Sequence, residues 1–324
     1  PRPGRRADVY PAHDFYGHKA VLAAYAGRPP RPVVGYLQHG WQSGWNVVGS
    51  TSQRRHLPKL VWSSVNAEAL RATGAEHVAA VGAPFVYLDA GRDRPGDAER
   101  GLLFYPFHST AHGAADRNRD DLCAAIAERA GDDDVTVCLY WRDHADPLAR
   151  RAYEERGWRV VTHGDRFDPG FLGRQWNEIA RHRRVATNRV ATALWYGAYL
   201  DRHVEVFGPV AGSRGPDEQA AFDRVQRSRW PELFEGGLAP GAAHEVAAAE
   251  LGAEHRLDPD ELAAALGWTG WRAVAGPVMA TGLRAARVLG GGIVPGAATG
   301  VPRASAGVRG VVAAGLPGEF GFGA

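Results

Sequence analysis

Apolar residues recur along the chain in short runs bounded by polar turns, and these runs alternate with stretches of helical spacing. Val33, Val34, Gly35, Tyr36 and Leu37 form the first run, which ends at Gln38, His39, Gly40 and Trp41. Residues 60–63 and 78–82 are the next two runs, with a helix predicted over 67–73 between them. Strands separated by helices imply a parallel sheet. Gly, Asp, Arg and Pro mix over 90–100 and predict a linker.

The same alternation resumes at Gly101. Strands are predicted over 101–105, 135–141 and 159–162, and helices over 117–130, 147–156 and 170–182. Residues 183–208 then read as a strand end, a polar turn of Thr187, Asn188 and Arg189, a helix opening near Val190, and a further strand. Together these form a second doubly wound sheet. Beyond Val210 the pattern gives short helices over 218–226, 241–251 and 259–266, the last capped by Asp258 ahead of Pro259. After Trp268 the chain is rich in Gly, Ala, Val and Pro, with Arg272, Arg284, Arg287, Arg303 and Arg309 against one acid, Glu319. The predicted fold class is therefore α/β, with two Rossmann-like domains at 1–98 and 99–210. A small helical C-terminal extension at 211–268 and a flexible Gly/Ala/Arg-rich tail at 269–324 follow.

Composition narrows the function classes. With 324 residues and 45% hydrophobic positions, the chain is long enough for two ordinary cores. A net charge of +2 argues against a protein built to coat nucleic acid, so no nucleic-acid partner is expected. Lys19 and Lys59 are the only lysines, an Arg bias that a GC-rich genome explains and that carries no functional weight. Cys123 and Cys138 are too few for a disulfide framework or a structural zinc site, and Cys138 lies in an apolar run that predicts a core position. A cytoplasmic location is the default expectation. No stretch of the tail is both long and uncharged enough for a membrane span, and its arginines suggest peripheral contact with anionic lipid on the inner face of the plasma membrane.

Candidate chemistry gathers where strands end. Thr187 and Asn188 are good N-cap types, and a helix start beside Arg189 offers unpaired N–H groups and a positive charge to an anion. Thr192 falls in the first turn of that helix. His39 follows a strand and titrates near working pH, which suits a general base, while Gly40 lets the backbone turn or approach a ligand. The alternative for His39 is a histidine packed at a strand end. His108, Ser109 and Thr110 repeat the arrangement, able to meet a phosphate or ribose or simply to cap a helix. His163 and Gly164 do so at a third strand end. His182 with Arg183 and Arg184 reads as a solvated helix end, and Asp132, Asp133 and Asp134 as a polar turn. There is no GxGxxG after the first strand and no GKS or GKT loop, so neither a standard dinucleotide site nor a P-loop is expected. No metal site is expected either.

Six segments carry a family resemblance. They are His13-Asp14-Phe15-Tyr16-Gly17, Gln38-His39-Gly40-Trp41, Gly82-Ala83-Pro84-Phe85-Val86-Tyr87, Tyr105-Pro106-Phe107-His108-Ser109-Thr110, Cys138-Leu139-Tyr140-Trp141 and Thr187-Asn188-Arg189-Val190. The stretch 10–268 resembles uncharacterised proteins of bacterial capsule and surface-polysaccharide clusters that are themselves similar to GT-B glycosyltransferases. More distantly, it resembles the CDP-glycerol glycerophosphotransferases and the bacterial sialyl- and polysialyltransferases.

The resemblance implies two facing domains, with acceptor activation at His39 and Gly40 and an acceptor side that includes Gln38, Trp41, His13 and Asp14. It implies donor binding by Thr187, Asn188 and Arg189 and by the His108, Ser109 and Thr110 turn. The chain departs from the glycerophosphotransferases, which carry an Asp-Tyr-Ser-Ser type turn where Thr187 to Arg189 stand, and this leaves the donor open. The implied activity is transfer of a sugar, or a polyol phosphate, from a nucleotide-activated donor to a glycan or lipid-linked acceptor, with no cofactor and no metal. A nucleotide-sugar epimerase and a non-catalytic nucleotide- or glycan-binding protein are the alternatives.

Overall fold

A computed structural model describes residues 11–33, 35–43, 58–93, 95–96, 98–107, 119–209 and 216–269. The predicted tail at 269–324 and the turn of His108, Ser109 and Thr110 therefore lie, but for residue 269, outside the described residues.

The first sheet is parallel in the order β1-β2-β3, with β1 at Tyr36–Leu37, β2 at Lys59–Val61 and β3 at Val78–Ala80. It is built between helices because its strands are too short to bury themselves. Side chains alternate across the strands, so Tyr36 and Val61 pack with Ala67 and Leu70 of α2 (Ser64–Ala72). Leu37 and Leu60 face the other way, toward Leu22 of α1 (His18–Tyr25) and Tyr87 of α3 (Pro84–Ala90). Ser63 caps α2 by accepting from the Asn66 amide.

The second sheet has five parallel strands in the order β6-β5-β4-β7-β8. These are β4 (Arg100–Tyr105), β5 (Val135–Cys138), β6 (Arg159–Val161), β7 (His182–Thr187) and β8 (His203–Val206). Strand alternation again assigns the faces. Leu102, Phe104, Val137 and Ala186 pack against α4 (Arg119–Ala130) and Tyr153 of α6 (Pro147–Glu154), α5 being the short turn Trp141–Ala145. Leu103 and Val185 pack on the opposite face, against α7 (Phe171–Ala180) and α8 (Thr192–Tyr199). Helix α8 is apolar all round because both of its sides are buried. At Gly197 an added Cβ would fall 2.8 Å from Val185 Cβ, so the missing side chain is what lets α8 lie this close to β7. The chain runs outward from β4 through β5 to β6, then returns to β7 on the other side of β4. The topological switch point thus lies between β4 and β7.

The predicted strand and helix order is present, with ends that differ by a few residues. The segment expected as a helical extension holds α9 (Pro216–Arg229), α10 (Ala242–Glu250) and α11 (Pro259–Ala265). Ala243 and Ala247 of α10 are buried with Trp195 and Val204, while Leu262 and Ala263 of α11 return to the first sheet beside Leu22 and Leu60. Asp258 and Glu261 close α11 with a capping box.

Of two readings of polar runs, one needs correction. His182 is not a solvated helix end: it opens β7, is fully buried, and lies 2.7 Å from Glu178 O and 3.0 Å from Thr136 Oγ1. Asp132 to Asp134 do form the expected polar turn, in which Asp133 also pairs with Arg183 at 2.8 Å and Arg184 at 3.0 Å. Asp134 also accepts from the Gly101 amide at 2.6 Å. No helix among the described residues is long and apolar enough to cross a membrane.

Candidate functional site

The carboxyl ends of both sheets open onto one cavity of about 190 Å³. His39 and Gly40, just past β1, line it from the first sheet, with Tyr16 from the Pro11–Gly17 turn and His18 from the start of α1. From the second sheet come Tyr105, Pro106 and Phe107 after β4, Cys138 to Tyr140 after β5, His163 after β6, and Thr187 to Arg189 after β7. The opening of α8, with Thr192, and the face bearing Tyr196 complete the wall. This is where open parallel sheets bind ligands, beyond the strand ends at a switch point.

The turn after β7 is not the side-chain-capped helix start that Thr187 and Asn188 suggest. Thr187 Oγ1 donates to Arg189 O at 2.6 Å, a bond within the turn. Asn188 spans the switch point, accepting from the Phe107 amide at 2.7 Å and donating to Pro209 O at 2.8 Å. The helix itself opens at Thr192, behind Ala191, with no side-chain cap. Its first amides consequently lack a side-chain acceptor, and Arg189 is held with its guanidinium 4.8 Å from the centre of the Phe107 ring. Anion-binding groups are thus present, placed by Asn188 and Phe107 and not by a cap.

Opposite them, the His39 ring meets Phe15 edge-on at 5.6 Å. Burial drives its pKa down to about 4, with the charges of His13 and Arg166 acting in the same direction. His39 thus titrates well below working pH, not near it as its residue type suggests, and is a neutral imidazole at neutral pH, the form that accepts a proton. Gly40 does not have a positive φ, and among the described residues an added Cβ would meet only Thr192 Oγ1, at 3.6 Å. A tight turn does not explain this glycine; its place on the cavity wall remains. Thr192 Oγ1 accepts from the Trp41 amide at 2.9 Å, which ties the end of β1 to the start of α8.

His163 is fixed from two sides. Tyr105 Oη and Cys138 Sγ lie 3.0 and 3.2 Å from its Nε2, and Arg174 donates twice to its carbonyl, at 2.9 and 2.6 Å. Burial lowers its pKa to about 3, against an opposing pull from Glu178. Cys138 is buried as expected for a core residue, yet its thiol faces this cavity residue. Gly164 follows with φ +89 and its amide on Thr162 Oγ1, and it does not line the cavity.

The remaining expected acceptor-side residues stand behind the wall. Gln38 is buried with its amide fully engaged, donating to Gly40 O and Asn66 Oδ1 and accepting from the Trp62 amide. Trp41 packs on Trp195 and Trp230 and donates to Glu250 at 2.8 Å. Asp14 pairs with Lys19 at 2.6 Å, and His13 is buried close enough to bear on His39.

Sequence reasoning gave no role to Tyr16, Tyr105, Phe107 and Tyr140, which lie in the segments that carry the resemblance, and passed over His18, Phe171, Gln175 and Tyr196; all eight line the cavity. Tyr16 carried one signal after the fact: it precedes Gly17, both have positive φ, and a Cβ at Gly17 would fall 2.3 Å from Pro169 O. The Pro11–Gly17 turn therefore docks directly on the loop before α7.

No family model and no curated protein matches the chain. Among solved structures it is similar to the S. aureus MnaA–UDP co-structure, at 13% identity, 58% of this chain, 57% of that one and a TM-score of 0.33. It is also similar to the wall teichoic acid polymerase TagF, at 11% identity, 78% of this chain, 68% of that one and a TM-score of 0.33. The chain thus spans little more than half the length of the MnaA chain. Likeness at this level leaves the chemistry to the site's own geometry.

Proposed function

We propose that the chain is a glycosyltransferase-like enzyme that moves a sugar from a nucleotide-activated donor to a cell-surface glycan or lipid-linked acceptor. The observation that carries this reading is the convergence of both sheets' carboxyl ends on one cavity. A neutral histidine stands on one side of it, and an arginine with an uncapped helix start stands on the other. In this reading residues 1–98 form the acceptor side and 99–210 the donor side, the helices of 211–268 bracing both.

Arg189 and the first amides of α8 hold the donor diphosphate. His39 takes the proton of the attacking acceptor hydroxyl as its oxygen bonds to the sugar's anomeric carbon. The bond from that carbon to the phosphate oxygen breaks, and its electron pair leaves with the nucleoside diphosphate, whose developing charge Arg189 and the helix start stabilise. A bound diphosphate also raises the His39 pKa, because negative charge favours the imidazolium that forms.

The test is a thermal-shift and calorimetric screen of nucleoside mono- and diphosphates, followed by donor turnover with and without acceptor glycans. Binding of a diphosphate, with donor consumed only when acceptor is present, is the expected result. Turnover of the donor without acceptor would make the protein an epimerase instead, and binding without any reaction would leave a binding protein.

A further inference from the structure

Arg166 is a cation without a counter-ion among the described residues, and it stands beside the same cavity. It lies in the loop after β6, at the end of the sheet where the site opens. Its half-buried guanidinium lies over two rings, 4.6 Å from the centre of Phe15 and 5.0 Å from that of Phe167. The Phe15 ring also meets the His39 ring, and the Tyr16 amide donates to Arg166 O. The arginine therefore adjoins two residues of the cavity wall, and its charge is felt by both side chains.

The carboxylates on the neighbouring segments are engaged elsewhere. Asp14 pairs with Lys19 at 2.6 Å, Asp168 pairs with Arg174 at 2.7 Å, and Asp165 accepts from the Phe167 amide at 2.8 Å. Arg166 Nε is closed off without a partner, whereas the two terminal nitrogens, equally unbonded among the described residues, are not closed off. A partly desolvated cation, held in place by two rings with the fork of its N–H groups unused, is poorly stabilised alone. An anionic oxygen group is the partner that its chemistry calls for.

A donor diphosphate on Arg189 does not fill this place. Arg189 is held against Phe107, after β4, and Arg166 against Phe15 and Phe167. In the sheet order β6-β5-β4-β7 the two arginines follow strands that lie three spacings apart, on the order of 14 Å. Their guanidinium groups thus offer separate anion positions, and that of Arg166 is the one beside Phe15 and His39.

We infer that Arg166 forms a second anion site, which takes a phosphate or carboxylate group of the acceptor close to the hydroxyl that His39 deprotonates. The planar fork holds two oxygens of that group side by side. Burial, His13 and Arg166 all work against proton uptake by His39, and an anion on Arg166 offsets the last of these. This rests on the transferase reading of the same cavity and names the class of its acceptor.

Calorimetry on the wild type, with and without saturating UDP, GDP or CDP, tests the site. It compares glycerol 1-phosphate and methyl glucuronide with their uncharged counterparts, glycerol and methyl glucoside. At least one charged probe should bind about 10-fold or more tightly than its counterpart, and the tighter of the two tells phosphate from carboxylate. This comparison needs no variant to fold. Arg166→Gln should abolish the preference, a loss of about 10- to 100-fold, with nucleotide affinity unchanged, and Arg166→Lys should keep part of it. Equal binding of charged and uncharged probes by the wild type, a preference that survives Arg166→Gln, or a nucleotide loss as large as the probe loss would each overturn the site. If no nucleotide binds but the Arg166-dependent preference is present, the donor reading falls and the anion site stands. If nucleotides bind and no preference appears, the donor reading stands and the anion site falls.

Discussion

The Trp41 amide donates to Thr192 Oγ1 at 2.9 Å, joining residues 151 positions apart in the chain. Trp41 follows the His39–Gly40 pair, and Thr192 opens the helix behind Arg189, so this hydrogen bond joins the two halves of the site alongside the packing of Trp41 on Trp195 and of Tyr16 on Phe171. The hydroxyl accepts in this bond and keeps its own proton for a ligand oxygen. Its expected donor-binding role and its observed structural role are therefore compatible.

Thr192→Val removes that acceptor and leaves the Trp41 amide without it. Urea unfolding should show a loss of about 0.5–1.5 kcal/mol, and Thr192→Ser should restore most of it. Equal stability of the valine variant and the wild type would show that the bond does not hold the halves together.

Arg189 is buried against Phe107 and faces the cavity. Arg189→Ala should weaken nucleotide binding by about 1.5–3 kcal/mol, the range for a hydrogen bond to a charged group. Thr187→Val should weaken it less, because the Thr187 hydroxyl is committed to Arg189 O and acts only by shaping the turn. Unchanged calorimetric affinity in Arg189→Ala would remove this turn from the donor site.

His39→Asn keeps a hydrogen-bonding group but cannot take a proton at working pH. Turnover should fall by about 10²- to 10⁴-fold while donor affinity holds. Gly40→Ala is the companion variant: no described atom comes closer than 3.6 Å to the added carbon, so the protein should fold normally and lose affinity only if ligand occupies that space. Near-normal turnover of His39→Asn would return His39 to a packing role.

Burial keeps His18 and His163 neutral down to about pH 3, and His39 down to about pH 4. In the unfolded chain each titrates near pH 6.5. As pH drops through that value the unfolded chain gains protons that the folded chain refuses, so stability is full above about pH 6.5 and falls toward pH 4. Each histidine contributes a slope of up to about 1.4 kcal/mol per pH unit in this window. Urea midpoints at pH 7.5 and pH 5 should differ accordingly, and equal midpoints would contradict three buried neutral rings.

Much of the framework is set by local sequence alone, because strand and helix patterns depend on near neighbours. The apolar run at 101–105 is β4, and Asp258 ahead of Pro259 does cap α11 with its own side chain. The alternation of runs and helices also sufficed for two parallel sheets, and so for the strand ends where His39, His163 and Arg189 line a cavity. What each polar side chain does there was settled only when distant strands came together. Asn188 has the chemistry of a cap, but Phe107 and Pro209 lie within its reach and take both ends of its amide. His182 sits in a charged run that reads as solvated, yet parallel pairing of β4 with β5 and β7 buries it next to Thr136. His18 and Tyr196 are 178 positions apart and inconspicuous in their own segments. Only the closing of α1 and α8 around one cavity puts both residues on its wall with their polar atoms buried, because burial and hydrogen-bond satisfaction are properties of the assembled surroundings and not of the local chain.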